Sequence, residues 1–161
     1  MHYIAYTDGS YMDVPGYGAF YSSAATLTKE GDAKPFATLT KVANDELISM
    51  RNVAGEIMAV MMVLEHCLNA LDLKENDSVT IYHDYAGIAN WCKRKGEKDY
   101  WRCKNAVTQG YRDYINTIVR PRFKLEFIHT KGHTGVTGNE YVDMLAKDAI
   151  KNHVQNLKME H

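Results

Sequence analysis

Four acidic residues stand where patterned segments begin or end. Asp8 closes the first apolar run, in "YTDGSY", and Glu56 lies early in a helical pattern that starts near residue 52. Asp84 closes "VTIYHD", and Asp143 falls in the opening turns of the last helical pattern. Carboxylates gathered in one place repel one another, and away from bulk water they need a compensating cation. Hard oxygen ligands select Mg²⁺ or Mn²⁺. Four such groups can hold two ions about 4 Å apart, an arrangement suited to in-line hydrolysis of a phosphodiester. One ion then turns water into a hydroxide nucleophile and the other stabilises the departing 3′ oxygen. Each acid taken alone has a plainer reading. Asp8 can cap a turn at Gly9, and Glu56 and Asp143 can complement helix dipoles. The choice depends on whether the four meet.

Whether they meet depends on the elements that carry them. Residues 2–8 read as a strand, 17–23 as a second after the Pro15-Gly16 turn, and 34–42 as a third with Pro35 at its start. The period then changes. Val53, Ile57, Val60, Met61, Leu64, Leu68 and Leu71 follow helical spacing, which predicts a helix over about 52–71. Residues 79–84 give a fourth strand, 85–94 and roughly 100–119 give helices, and 122–130 give a fifth strand. A glycine-punctuated loop, "KGHTGVTG", precedes a last helix over 139–152, with a frayed tail expected over 153–161. This order predicts an α/β fold, a five-stranded mixed sheet flanked by helices, in one catalytic domain over 1–152. The first three strands form a meander; the fourth and fifth arrive by helical crossovers and run parallel to the first. All four acids then fall at one edge, the carboxyl end of the parallel strands, where open α/β sheets place their ligands. Four coincidental turn or dipole residues on one edge are a poorer explanation than one site.

Composition sets the surroundings. Of 161 residues, 45% are hydrophobic and 24% charged, as in ordinary globular domains. The longest apolar run, Ile57 to Leu64, is short against the ~20 residues of a membrane helix. Cys67, Cys92 and Cys103 are odd in number and irregularly spaced, so a reducing, cytoplasmic setting is expected, with no membrane and no obligate protein partner. A net charge of -1 makes any nucleic-acid surface local.

In order, "YTDGS", "NVAGEIMAV", "IYHDY" and "TKGHTGVTGNEYVDMLAK" resemble the four signature blocks of type-one ribonuclease H, over residues 3 to about 150. The resemblance implies the ribonuclease H-like fold and Mg²⁺-dependent cleavage of the RNA strand of RNA–DNA hybrids, with Mn²⁺ as a substitute. It implies that Asp8 bridges two ions, that Asp143 helps hold the water-activating one, and that Glu56 and Asp84 hold the leaving-group one. The family's loop histidine, an aid to proton transfer or product release, matches His133. His129-x-x-x-His133 also has half of a zinc spacing, but no Cys-x-x-Cys accompanies it. Glu140, three residues before Asp143, is either an outer-shell acid or a solvated glutamate.

Hybrid recognition needs contacts to 2′-hydroxyls, which the wide, shallow minor groove presents. The main chain at Gly9 and Ser10 is a candidate for that contact. Asn52, one turn before Glu56, matches a family asparagine in the minor groove and is also a candidate N-cap. The family often carries a glutamine two residues after the third acid, and here Ala86 stands there. Residues 93–104 hold six basic and two acidic residues, a net of +4 (6 − 2). Lys93, Arg94 and Lys95 are therefore candidate backbone contacts, with Trp91 and Trp101 beside them as base-stacking or core residues. Two other readings are a DNA-processing recombinase or integrase of the same fold and a non-catalytic hybrid-binding module. The His133 loop and the Gly9-Ser10 block argue against the first. A lost acid would mark the second, and all four are present.

Overall fold

Alternation along β1 (His2–Val14) sends Tyr3 and Ala5 to one side of a sheet and Tyr6 to the other. A computed structural model describes residues 1–130 and 137–160 of the chain. β1 pairs antiparallel with β2 (Gly18–Lys29) along its whole length, from Tyr3↔Lys29 to Val14↔Gly18. The connecting turn uses Gly16 at φ +83°, a conformation glycine adopts without penalty. β2 pairs antiparallel with β3 (Ala37–Ala43). β4 (Ser78–His83) lies parallel to β1, and β5 (Lys124–His129) parallel to β4, giving the order β3-β2-β1-β4-β5.

One face carries α1 (Asn52–Glu65), α2 (Gly87–Asn90) and α3 (Ala106–Asp113). Ile57, Val60, Val63 and Leu64 of α1, Ile88 of α2 and Tyr111 of α3 bury against Ala5, Leu27, Val79 and Ile81 of the sheet. Each such side chain contributes about 1.5–3 kcal/mol on removal from water. α4 (Thr137–Met159) covers the opposite face through Val142 and Ala146 on Ala24, and through Ile150 and Val154 on Phe20. α1 and the single π-helical turn after it, Asn52–Ala70, reach mean hydropathy 1.3. That is long and apolar enough to cross a bilayer, although the longest apolar run alone suggested otherwise. Half of that stretch is buried, as in the central helix of a core.

The five strands and the mixed topology match the expectation, but several boundaries move. β1 does not stop at Asp8. Asp-Gly-Ser is turn chemistry locally, yet Ser23, Ser22 and Tyr21 offer ladder partners to Gly9, Ser10 and Tyr11, so the strand runs on. β2 ends at Lys29 rather than 23, and β3 begins at Ala37 rather than 34. The helix expected over 85–94 shrinks to α2. The one expected from 100 begins at Ala106, where the Asn105 side chain accepts from the Thr108 N–H at 2.9 Å and caps it. α4 continues past 152 to Met159 because Val154 and Leu157 find apolar partners beside Phe20. Residues 153–159 are therefore helical, not frayed.

Candidate active site

The parallel register carries the acids together. Tyr6 pairs with Tyr82, so Asp8 and Asp84, each two residues further on, stand level where β4 has ended and β1 continues. α1 brings Glu56 onto the same edge, and glycines allow it. A Cβ on Gly9 would lie 2.3 Å from the Glu56 amide nitrogen, and one on Gly55 would lie 2.0 Å from the Ser22 carbonyl oxygen. The Ser23 hydroxyl donates to the Gly55 carbonyl at 2.8 Å and pins the first turn of α1 to β2. The close approach at Gly9 is thus made by α1.

One oxygen from each of Asp8, Glu56 and Asp84 falls within 4.8 Å of the other two. Asp8 is 4% exposed and Glu56 2%, while Asp84 is half-buried. Burial, followed by the neighbouring Asp143 carboxylate, pushes Asp8 up to about 6, although Glu56 and the Gly9 N–H act the other way. The Gly9 amide donates to Asp8 Oδ1 at 2.9 Å. Burial pushes Glu56 well above the usual carboxylate range, and the charge of Asp8 adds to it. Glu56 Oε2 is buried with no hydrogen-bond partner among the described residues. Buried carboxylates in contact, one with an orphaned oxygen, form a donor set that fits a divalent cation.

Asp143 adjoins Asp8 from α4 but lies outside the tight group of three. Its carboxylate accepts from Lys147 Nζ at 2.9 Å, and this ion pair raises the lysine. Glu140 is exposed in the first turn of α4. Asn52 is the first residue of α1 and is exposed. It is not the N-cap. Arg51 holds that place at φ 55°, ψ -131°, without a side-chain cap bond, and its guanidinium lies over the Tyr11 ring. Ser10 and Gly9 are half-exposed beside the acids. His133 lies outside the described residues.

Away from the acids, Trp91 belongs to the core and Trp101 is 36% exposed. With Met50, Asn105 and Tyr85, the residue that follows Asp84, they line an open cavity of about 570 Å³. Lys93 and Arg94 line a second cavity of about 910 Å³, together with Arg112 and Arg120 from the far side, and Lys95 is not part of it. Sequence reading missed Lys147, Arg112 and Arg120. The i, i+4 spacing of Asp143 and Lys147 was the available signal for the first; nothing local pairs the two arginines with residue 93.

The RNase H family model matches residues 1–151. A ribonuclease H of Nitrosospira multiformis is 26% identical over 149 residues, covering 91% of this chain and 87% of that protein. One from Xanthomonas axonopodis pv. citri is 28% identical over 160 residues, covering 89% and 88%. Among solved structures, LC11-RNase H1, isolated from compost and crystallised with an RNA/DNA hybrid, superposes with a TM-score of 0.67. It shares 18% identity and covers 92% of this chain and 99% of its own. The chain belongs to the RNase H family. It is thereby a ribonuclease H, and family membership together with the acidic cluster implies divalent-metal dependence.

Proposed function

We propose that the chain is an endonuclease that hydrolyses the RNA strand of RNA–DNA hybrids with two Mg²⁺ ions, leaving 5′-phosphate and 3′-hydroxyl ends. The observation that carries this reading is the trio Asp8, Glu56 and Asp84, two of them buried and held above the usual carboxylate range, with Asp143 alongside. Asp8 and Glu56 come from β1 and α1, so the sheet and the central helix fix their separation before any cation arrives. Asp8, Glu56 and Asp84, with Asp143 alongside, would hold the ions: Glu56 and Asp84 would serve stabilisation of the leaving group, Asp143 activation of the water, and Asp8 both. Ions bound there supply an activated water and stabilise the departing 3′ oxygen. Lys147 offsets the charge of Asp143. His133 assists proton transfer or product release, and Glu140 is an outer acid near Asp143.

Substrate binding follows from what borders the acids. Main-chain groups of Gly9 and Ser10, and the Asn52 side chain, read 2′-hydroxyls in the minor groove in this proposal, which the exposure of Asn52 and the part-exposure of Gly9 and Ser10 support. The aromatic cavity that Tyr85 helps to line offers the Trp101 ring as a stacking surface. Lys93, Arg94 and Lys95 meet phosphates further along the duplex. The retained liganding acids favour catalysis over a binding module, and the relative crystallised with an RNA/DNA hybrid supports a hybrid substrate over a DNA duplex. Incubation with matched RNA–DNA, RNA–RNA and DNA–DNA duplexes tests the reading. Cleavage of the hybrid alone, dependent on Mg²⁺ and largely lost in a folded Asp8→Asn variant, is expected. Efficient cutting of DNA–DNA would transfer the chain to the recombinase-type alternative.

A further inference from the structure

Beyond the four acids, the end of β4 is held in an unusual way. The sheet register stops at His83↔His129, and the next residue is Asp84. The His83 carbonyl still accepts from the residue after its partner, as in a parallel ladder, and beyond it the carbonyls of Asp84 and Tyr85 are each bound by a histidine side chain. The His83 carbonyl accepts from the Thr130 N–H at 2.7 Å and from the Thr130 hydroxyl at 3.2 Å. The Asp84 carbonyl faces His129 Nε2 at 2.6 Å. The Tyr85 carbonyl faces His83 Nδ1 at 3.0 Å. A ring nitrogen facing a carbonyl oxygen must carry the hydrogen, so both imidazoles are donors, His129 to the Asp84–Tyr85 peptide and His83 to the Tyr85–Ala86 peptide. The two rings stack, with centroids 5.5 Å apart and planes 13° from parallel. His83 is fully buried, packed edge-on against Phe127, and its Nε2 has no partner among the described residues. The fold thus keeps a costly buried imidazole to hold a main-chain carbonyl one residue from the acid.

The geometry points to His83 and His129 as positioning residues for Asp84, setting its backbone so that its carboxylate meets those of Asp8 and Glu56. The inference rests on the metal-binding reading of the acids. Backbone anchoring of a ligand acts on metal affinity as groups that orient ligating side chains do, where loss of one partner costs about 10–100-fold.

The test uses the whole chain, Mn²⁺ titrated without substrate, and hydrolysis of an RNA–DNA hybrid. His129→Phe keeps a ring to stack on His83 and removes the donor. It should weaken Mn²⁺ binding and lower kcat by about 10-fold each, with KM changed less than about two-fold. His129→Gln places an amide N–H near the Nε2 position and should return both values to within about three-fold of wild type. His129→Asn, whose amide reaches only as far as Nδ1, should resemble His129→Phe. This pair gives the answer even if the phenylalanine variant fails to fold. Wild-type Mn²⁺ affinity in folded His129→Phe, or equal rescue by Gln and Asn, overturns the positioning role. An Asp84→Asn control separates the two levels: if it binds Mn²⁺ as wild type does, the metal-site reading falls and this inference with it. If it loses binding while His129→Phe does not, this inference alone falls.

Discussion

Removing the Asp8 charge should make the metal-free protein more stable while disabling it. Asp8 titrates at about 6 in the fold against an ordinary 3.8. At about 1.36 kcal/mol per pH unit, that gap costs the folded state about 3 kcal/mol once the group is ionised. The window follows from the two values. Below pH 3.8 Asp8 is protonated folded or unfolded, and its charge has no effect on stability. As pH rises from 3.8 to about 6 the unfolded chain gives up its proton first, and stability falls. Above about 6 the loss is complete. The side-chain amide introduced by Asp8→Asn retains an oxygen to accept from the Gly9 N–H and carries no charge. The variant should therefore melt roughly 6–12 °C above wild type at pH 7.5 in chelator, taking roughly 2–4 °C per kcal/mol for a domain of this size. Near pH 4 most of the gain should vanish. Saturating Mg²⁺ should narrow the gap at pH 7.5, because only the wild-type cluster binds it well. Scanning calorimetry at the two pH values, with and without Mg²⁺, gives the answer. A lower midpoint for Asp8→Asn at pH 7.5 in chelator, or an equal gain at both pH values, would refute the reasoning.

Three further outcomes are expected. Gly55→Ala forces a methyl to within 2.0 Å of the Ser22 carbonyl and should cost about 3 kcal/mol or more by denaturant unfolding; a loss below about 1 kcal/mol would mean α1 can lift off the sheet at little cost. Replacing Lys93, Arg94 and Lys95 with alanine should raise KM, leave kcat nearly unchanged and flatten log K against log salt by roughly 1–3, with Lys93 and Arg94 dominating since they line the cavity; an unchanged slope would send the duplex along another path. His133→Ala should lower the rate roughly 10²-fold or less, and a loss as deep as that of Asp8→Asn would make it a primary ligand.

How much of this was legible in the sequence differs from residue to residue. Val53 to Leu64 announced α1 by period alone, since a helix on a sheet must bury one stripe. The meeting of Asp8 with Asp84 followed from two parallel strands and did not need the end of β1 to be right. The end was wrong because Asp-Gly-Ser prefers a turn locally, while the partner strand that overrides it lies at Tyr21 to Ser23. Arg51, left-handed at the head of α1, and the stacked His83 and His129 leave no pattern in a linear reading. Their geometry is set by contacts between distant segments. The same holds for Arg112 and Arg120, which become neighbours of Lys93 only when α3 and its π-helical continuation fold back. Asn105 was legible: an Asn three residues before Thr108 is a capping pattern, which a helix start at 100 overlooked.

In the proposed mechanism, metal held by these carboxylates drives attack of water on the RNA strand. Analysis of the termini left on an RNA–DNA hybrid labelled on both strands tests it most directly. Expected are an intact DNA strand and RNA fragments carrying 5′-phosphate and 3′-hydroxyl ends, formed in Mg²⁺ and absent in chelator. RNA fragments with 2′,3′-cyclic or 3′-phosphate ends would identify the neighbouring 2′-hydroxyl as the nucleophile and contradict it.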